Sequence, residues 1–289
     1  MIAASLVIPS YARQDFLLQT VERFCQFPLE GWEILVVDQS DAPAEALARW
    51  AGADPHLRYS HLEERGLPNA RNVGLAEARG EIVAFVDDDV VPHDGFLAGH
   101  RAPYADAAVG GVAGRVIEDV ERPHSFEGRG TGRVRRLDGR VTGHFDRGAA
   151  GPVDHARGCN MSFRRQALVD IGGFDVRYGG TAHLEETDVC MRVRALGYQM
   201  RFEPSASLTH LSLQTGGCRE LDLSRWLYWY GHNYMLFALK NLPRPALPVF
   251  LAERLAKLAY TAATRGEPGL FGQGLTGLRD GWRSFRSPR

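Results

Sequence analysis

The sequence predicts an α/β fold: a mostly parallel sheet flanked by helices, with a C-terminal helical extension. Three observations carry this prediction. Short apolar runs alternate with helical segments through residues 3–89, the pattern of strands joined by crossover helices. Polar clusters (9–13, 38–41 and 87–89) follow the first, second and fourth of those runs, at the strand ends where parallel sheets bind ligands. From residue 221 onward the chain is mostly helical in pattern and at first strongly aromatic.

Taken in order, AASLVI (3–8) is a buried first strand closed by Pro9 and Ser10. Residues 15–26 read as a helix, EILVVD (33–38) as the second strand, 43–51 as the second helix and HLRYSHL (56–62) as a weaker third strand. PNARNVGLAEAR (68–79) opens on a proline suited to a first helical turn and stops at Gly80. EIVAFVDDD (81–89) is the fourth strand. After VGGVAGRVI (109–117), residues 118–155 are polar and rich in Gly and Arg, which suits loops or a hairpin over the sheet. Regular structure resumes with RGCNMSFRRQALVDIGGF (157–174). In the helix over 184–196, Val189, Val193 and Leu196 form an apolar stripe, and Glu185, Asp188 and Arg192 share another face. The strand YQMRFEP follows.

The 289 residues are 44% hydrophobic and 24% charged, ample for a real core. Lys+Arg 34 against Asp+Glu 35 gives a net charge of -1, so nothing global points to nucleic acid. Cys25, Cys159, Cys190 and Cys218 are far apart with no CxxC pair, which argues against a zinc ribbon or disulfide framework and for a reducing compartment. MIAASLVIPSYAR lacks a basic start before its short apolar run, so it is expected to be a strand and not a signal peptide. No apolar stretch is long enough to span a membrane. The expected location is cytoplasmic, with the inner face of the cell membrane as one option.

FVDDDVVP (85–92) is the sharpest local feature. Three adjacent carboxylates after a buried run repel one another, so Asp87, Asp88 and Asp89 are either a solvated turn or a seat for a cation. In an extended segment Asp87 and Asp89 would point the same way.

Seven segments in order resemble glycosyltransferase family 2, whose fold is the GT-A type. They are VIPSYAR (7–13), VVDQSD (36–41), GLPNARNVGL (66–75), FVDDDVVP (85–92), GCNMSFRRQAL (158–168), GGFD (172–175) and EETDVCMRVRALGY (185–198), and the likeness covers roughly residues 3–215. It implies metal-assisted single displacement with inversion, from a nucleotide-diphosphate sugar (UDP- or dTDP-sugar favoured) to an acceptor hydroxyl, in bacterial surface glycan synthesis. The divisions it implies are a catalytic domain at 1–217, with a nucleotide-sugar half at 1–115 and an acceptor half at 116–217, and a helical extension at 218–289.

The same resemblance implies the site. Asp89, with Asp87 and His210, would hold Mn2+ or Mg2+, and Asp87 or Asp88 would reach the ribose or a metal-bound water. Pro9, Tyr11, Arg13, Asp38, Ser40, Gly66, Arg71 and Asn72 would line the donor, with Asp38 on the base. Glu186 aligns with the family's catalytic base, where the family usually has Asp, so Asp188 stays a rival. Glu185 and Asn160 would meet the acceptor, Asn160 being equally suited to capping a turn. Residues 118–155 and SLQTGG (212–217) are candidate lids. The aromatic run 226–234 with Arg225, Lys240 and Arg244 suits either a helix packed on the domain or peripheral membrane contact through 221–260 near a lipid-linked acceptor. An inactive sugar-nucleotide-binding module of the same fold is the alternative. A dehydrogenase is excluded by the missing GxGxxG after the first strand.

Overall fold

The computed structural model describes residues 2–119, 130–213 and 215–287. In chain order the first half runs β1 (Ala4–Ser10), α1 (Gln14–Cys25), β2 (Trp32–Asp38), α2 (Glu45–Ala51), β3 (Leu57–His61), α3 (Leu67–Glu77), β4 (Ile82–Val86), β5 (Val90–Pro92), α4 (Phe96–Arg101) and β6 (Val109–Glu118). Then come a small hairpin of β7 (Arg133–Val134) and β8 (Val141–Thr142), β9 (Gly151–Val153), β10 (Asn160–Arg164), α5 (Arg165–Asp170), α6 (Glu185–Ala195) and β11 (Gln199–His210). The chain ends in α7 (Leu223–Asn241), α8 (Leu247–Arg265) and α9 (Pro268–Arg286).

The main sheet has the order β3–β2–β1–β4–β10–β6–β11–β5, with β9 added on β11. β1, β2, β3 and β4 are parallel, as are β6 and β11, while β10 runs antiparallel to both its neighbours. Strands covered by helices on both faces need apolar residues on both faces, and β1, β2 and β4 are buried along their whole length. Parallel register then brings the carboxyl ends of β1, β2, β4, β6 and β11 to one rim. Ser10 pairs with Asp38, and His210 pairs with Glu118.

A second apolar cluster joins Leu227, Tyr230, Leu236, Phe237 and Phe250 of the C-terminal helices to Val134, Tyr178 and Leu184. The aromatic run at 226–234 is therefore packed inward. Trp229 lies flat against Gly179 and Gly180, where an added Cβ would come within 2.5 and 2.2 Å of the indole. The hairpin expected between 118 and 155 is present as β7–β8, and it docks on α8 through Arg140 Nε and Glu253 (3.2 Å). The part of that lid candidate from 120 to 129 lies outside the described residues, as does Gln214 of the second candidate. No helix among the described residues is long and apolar enough to cross a membrane.

Candidate functional site

β4 stops at Val86, so the aspartate triplet is a bend rather than an extended segment, and its three side chains part company. Asp87 is partly exposed at the cleft. Asp88 turns back to accept from Ser10 Oγ (2.6 Å) and Arg13 Nη1 (3.0 Å). Asp89 is fully buried, and its Oδ2 accepts from Arg13 Nη1 (3.2 Å) and the Leu213 amide (3.1 Å). Burial raises Asp88 to about 6 despite Arg13 and Ser10. Burial alone would raise Asp89 too, but the His210 imidazole and the Arg13 guanidinium outweigh it and hold Asp89 below its ordinary value.

Arg13 also latches the loop after β11. Its Nε donates to the Thr215 carbonyl (2.7 Å) and its Nη2 to the Leu213 and Gly216 carbonyls (3.3 and 3.2 Å). Gly216 and Gly217 both have positive φ, and a Cβ on Gly216 would stand 2.6 Å from Arg13. Only glycine suits those two positions.

Two lobes of one cleft meet over this latch. The first, about 480 Å³, is walled by Pro9, Tyr11, Gln39, Arg65, Gly66 and Trp229. The second, about 530 Å³, is walled by Arg71, Arg157, Cys159, Glu185, Glu186 and His210. Arg13, Leu67, Asp87, Cys218, Arg219 and Glu220 line both. The Arg65 guanidinium lies 4.7 Å over the Tyr11 ring, giving the first lobe a flat cationic wall.

His210 Nε2 stands 3.2 Å from Asp89 Oδ1 and 3.7 Å from Asp87 Oδ2. Its Nδ1 is 3.1 Å from Glu118 Oε2, and Glu118 is paired with Arg157 and Ser212 Oγ. A carboxylate behind Nδ1 fixes the tautomer that leaves Nε2 for a cation. Burial disfavours the imidazolium, but Asp89 and Glu118 on either side raise His210 to about 9. Asp89 Oδ1 is buried and makes no well-formed hydrogen bond. Ligands around one divalent ion stand about 3.0–3.6 Å apart; Asp89 Oδ1 is at that distance from Nε2, and Asp87 Oδ2, at 3.7 Å, is just beyond it.

Arg71 is buried between the lobes. It pairs with Glu185, lies 3.5 Å from Asp87 Oδ1 and donates to the Gly158 carbonyl (3.0 Å). Glu186 is half-buried on the second lobe, and its carboxyl is raised above its ordinary value, chiefly by burial. Leu184, just before this pair, is held at φ 72. That left-handed cap turns the first turn of α6 towards the cleft.

Several expected site residues have their polar atoms already bonded within the protein. Asp38 is fully buried: Oδ1 accepts from the Ser40 amide (2.9 Å) and Oδ2 from Tyr59 OH (2.9 Å) and Gln14 Nε2 (3.3 Å). Gln39 lines the cleft in its place, and Ser40 is turned under to cap Ala12 N (3.0 Å). Asn72 ties α3 to Phe174 through both its amide atoms (2.9 and 2.8 Å). Asn160 is fully buried, donating to the Arg115 and Ala206 carbonyls (2.8 and 2.9 Å) with Oδ1 2.7 Å from His100 Nε2. Asp188 accepts from Arg192 Nε, Lys240 Nζ and Asn241 Nδ2, each at 2.8 Å. Sequence reasoning missed Glu118, although it ends a strand next to β11 and the strand-end rule could have found it. Cys159, Arg157 and Arg65 carried no such signal.

The family model described as Glycosyl transferase family 2 matches residues 5–172. The pre-mycofactocin glycosyltransferase of Mycobacterium tuberculosis (strain H37Rv) is 30% identical over 191 residues, covering 63% of this chain but only 38% of that protein. The glucosyl-dolichyl phosphate glucuronosyltransferase of Haloferax volcanii is 25% identical over 250 residues, covering 79% and 75%. In three dimensions the chain is similar to S. aureus TarS 1–349 in complex with UDP-GlcNAc (TM-score 0.66, 16% identity, 96% of this chain and 80% of that one). It is also similar to the mannosyltransferase PcManGT from Pyrobaculum calidifontis in complex with GDP-Man and Mn2+ (TM-score 0.60, 20% identity, 98% and 86%).

Proposed function

The chain belongs to glycosyltransferase family 2, and we propose that it moves a sugar from a nucleoside-diphosphate donor to an acceptor hydroxyl by single displacement with inversion. One observation carries the reading: two lobes of a cleft meet at Asp87, one walled by a flat cationic surface and the other by a carboxylate poised as a base. The first lobe takes the nucleotide, its base lying against the wall that Tyr11, Arg65 and Gln39 form. Asp89, Asp87 and His210 hold a divalent ion, Mn2+ or Mg2+. When bound, that ion supplies positive charge to the departing diphosphate. Arg13, held by its bonds to Asp88 and Asp89, and the exposed Arg219 line the same place and add cationic groups.

Glu186 takes the proton of the acceptor hydroxyl from the second lobe, opposite the diphosphate, as inversion requires. A carboxyl raised by burial is better matched to that task near neutral pH than an ordinary one. Glu185 neutralises Arg71 and keeps it still, which makes it a positioning residue. Asp38, the residue expected on the donor's base, has its oxygens already bonded. UDP and GDP therefore enter the test as equals.

On this reading residues 1–217 form the catalytic unit and 218–289 brace it. The exposed Val249 and Tyr260, eleven residues apart and so on one side of α8, support peripheral contact with a membrane carrying a lipid-linked acceptor. The test is a thermal-shift panel of UDP, dTDP, GDP and ADP with and without Mn2+. One nucleotide should stabilise the protein in a metal-dependent way, by roughly 2.7 kcal/mol at a hundred times its dissociation constant. A panel without any metal-dependent shift counts against the reading.

A further inference from the structure

Cys159 lies beside the proposed ion, and the transfer leaves it without a role. Among the described residues, Asp87, Cys159 and His210 form a cluster whose ligand atoms all lie within 4.8 Å of one another. Cys159 is 4% exposed, and its side chain reaches the wall of the second lobe. Its position is built rather than incidental. The turn that carries it is closed by the Asn160 amide on the Arg157 carbonyl (2.9 Å). It is anchored on one side by the buried Asn160 side chain and on the other by Arg71 on the Gly158 carbonyl (3.0 Å). Next to the cluster, the buried Asp89 Oδ1, without a well-formed hydrogen bond, stands 3.2 Å from His210 Nε2.

We propose that the Cys159 sulfur is a direct ligand of the divalent ion, beside Asp87 and His210, and that it tunes the site towards thiophilic ions. The inference rests on the proposed metal-dependent reading and deepens it. Carboxylates alone suit hard ions such as Mg2+, whereas one thiolate with one imidazole shifts preference to Co2+, Zn2+ and Cd2+. Tetrahedral N, O and S ligands stand about 3.4–3.6 Å apart, and Asp87 Oδ2 is already 3.7 Å from His210 Nε2, so binding draws the cluster only slightly closer. The step balances: the thiol gives its proton to solvent through the cleft, a sulfur–metal bond forms, and no electron changes hands. Behind the ligands, Arg157 and Glu118 hold His210, an outer layer of the kind such sites use.

The test uses the full chain, stripped of metal with a chelator and titrated with Co2+ alone in the absence of oxygen. The wild type should develop a sulfur-to-cobalt charge-transfer band that saturates at one equivalent. Cys159→Ser should lose the band, and Cys218→Ser, which alters the other cleft cysteine, should keep it. Zn2+ should displace the cobalt and Mg2+ should not, and Cys159→Ser should weaken Zn2+ binding by at least roughly tenfold. A readout without mutation is mass-spectrometric alkylation of Cys159, which Zn2+ should slow and Mg2+ should not. Weak cobalt bands without the sulfur band, or a band that survives in Cys159→Ser, overturn the Cys159 assignment and leave the ion site standing. Absence of any bound cobalt overturns the ion site itself.

Discussion

Lys240 in α7 donates a 2.8 Å hydrogen bond to Asp188, one turn into the helix whose first two residues are Glu185 and Glu186. The same ammonium reaches Asp175 at 2.6 Å, and all three side chains are almost wholly buried. The C-terminal extension thus reaches into the support of the proposed base. Burial works against the charge of Lys240, and the two carboxylates sustain it. Lys240→Met leaves buried carboxylates underneutralised, which costs about 3–5 kcal/mol. We expect that loss in urea unfolding. In whatever fraction stays folded, transfer should fall more than nucleotide binding, because the displaced group is the base and not the donor wall. Unchanged stability would show that α7 is only a cover.

Glu186→Gln should keep Mn2+-dependent nucleotide binding and lose transfer by roughly 10²–10⁴-fold, the range a positioned base supplies. Because burial raises Glu186, the acid limb of the wild-type kcat/KM profile should fall above the ordinary glutamate value of about 4.3. The sign is fixed by the role: a base is inactive when protonated, so the rate rises with pH through this limb. Near-normal transfer in Glu186→Gln removes the assignment, and Asp188, locked by three donors, offers no replacement.

What the sequence made legible was position along strands. Once β1, β2, β4 and β11 alternate with helices, Arg13, the aspartate triplet and His210 must arrive at one rim, because parallel register leaves them nowhere else. What it could not show was whether an arriving side chain is still free. Asp38 reaches the rim but is used up by Tyr59, 21 residues away, Asn160 by His100, 60 away, and Asp188 by Lys240, 52 away. Those partners come from other elements, and local spacing carries no trace of them. The triplet shows the same limit within three residues. Alternation places Asp87 and Asp89 on one side, yet the chain leaves the strand at Val86, and Ser10 and Arg13 draw the carboxylates apart.

Asp89→Ala should abolish the metal-dependent part of the nucleotide thermal shift while leaving any metal-independent part. Asp89 does two things at once: it offers an unsatisfied oxygen towards His210 and anchors Arg13. Asp89→Asn separates them, since its carbonyl oxygen can still accept from Arg13 while its charge is gone. If Asp89→Asn keeps the full Mn2+ response, the proposed ion is held elsewhere.

His100 makes the last prediction, on stability rather than transfer. It is fully buried, with Nε2 2.7 Å from Asn160 Oδ1 and Nδ1 2.9 Å from Ser162 Oγ. Asn160 donates both its amide protons to carbonyls, so its Oδ1 must accept, and His100 is neutral with the proton on Nε2. Burial lowers the ring to about 4 from 6.5. Between those values the unfolded chain binds a proton that the folded chain refuses, so stability rises with pH across the window. The contribution is complete above about 6.5 and is lost as pH falls towards 4, reaching about 2 kcal/mol by pH 5. Urea midpoints at pH 7 and pH 5 should therefore fall less in His100→Gln than in the wild type. Ring signals followed by NMR should keep His100 neutral at pH 5, and a ring titrating near 6.5 would remove it as a cause of acid sensitivity.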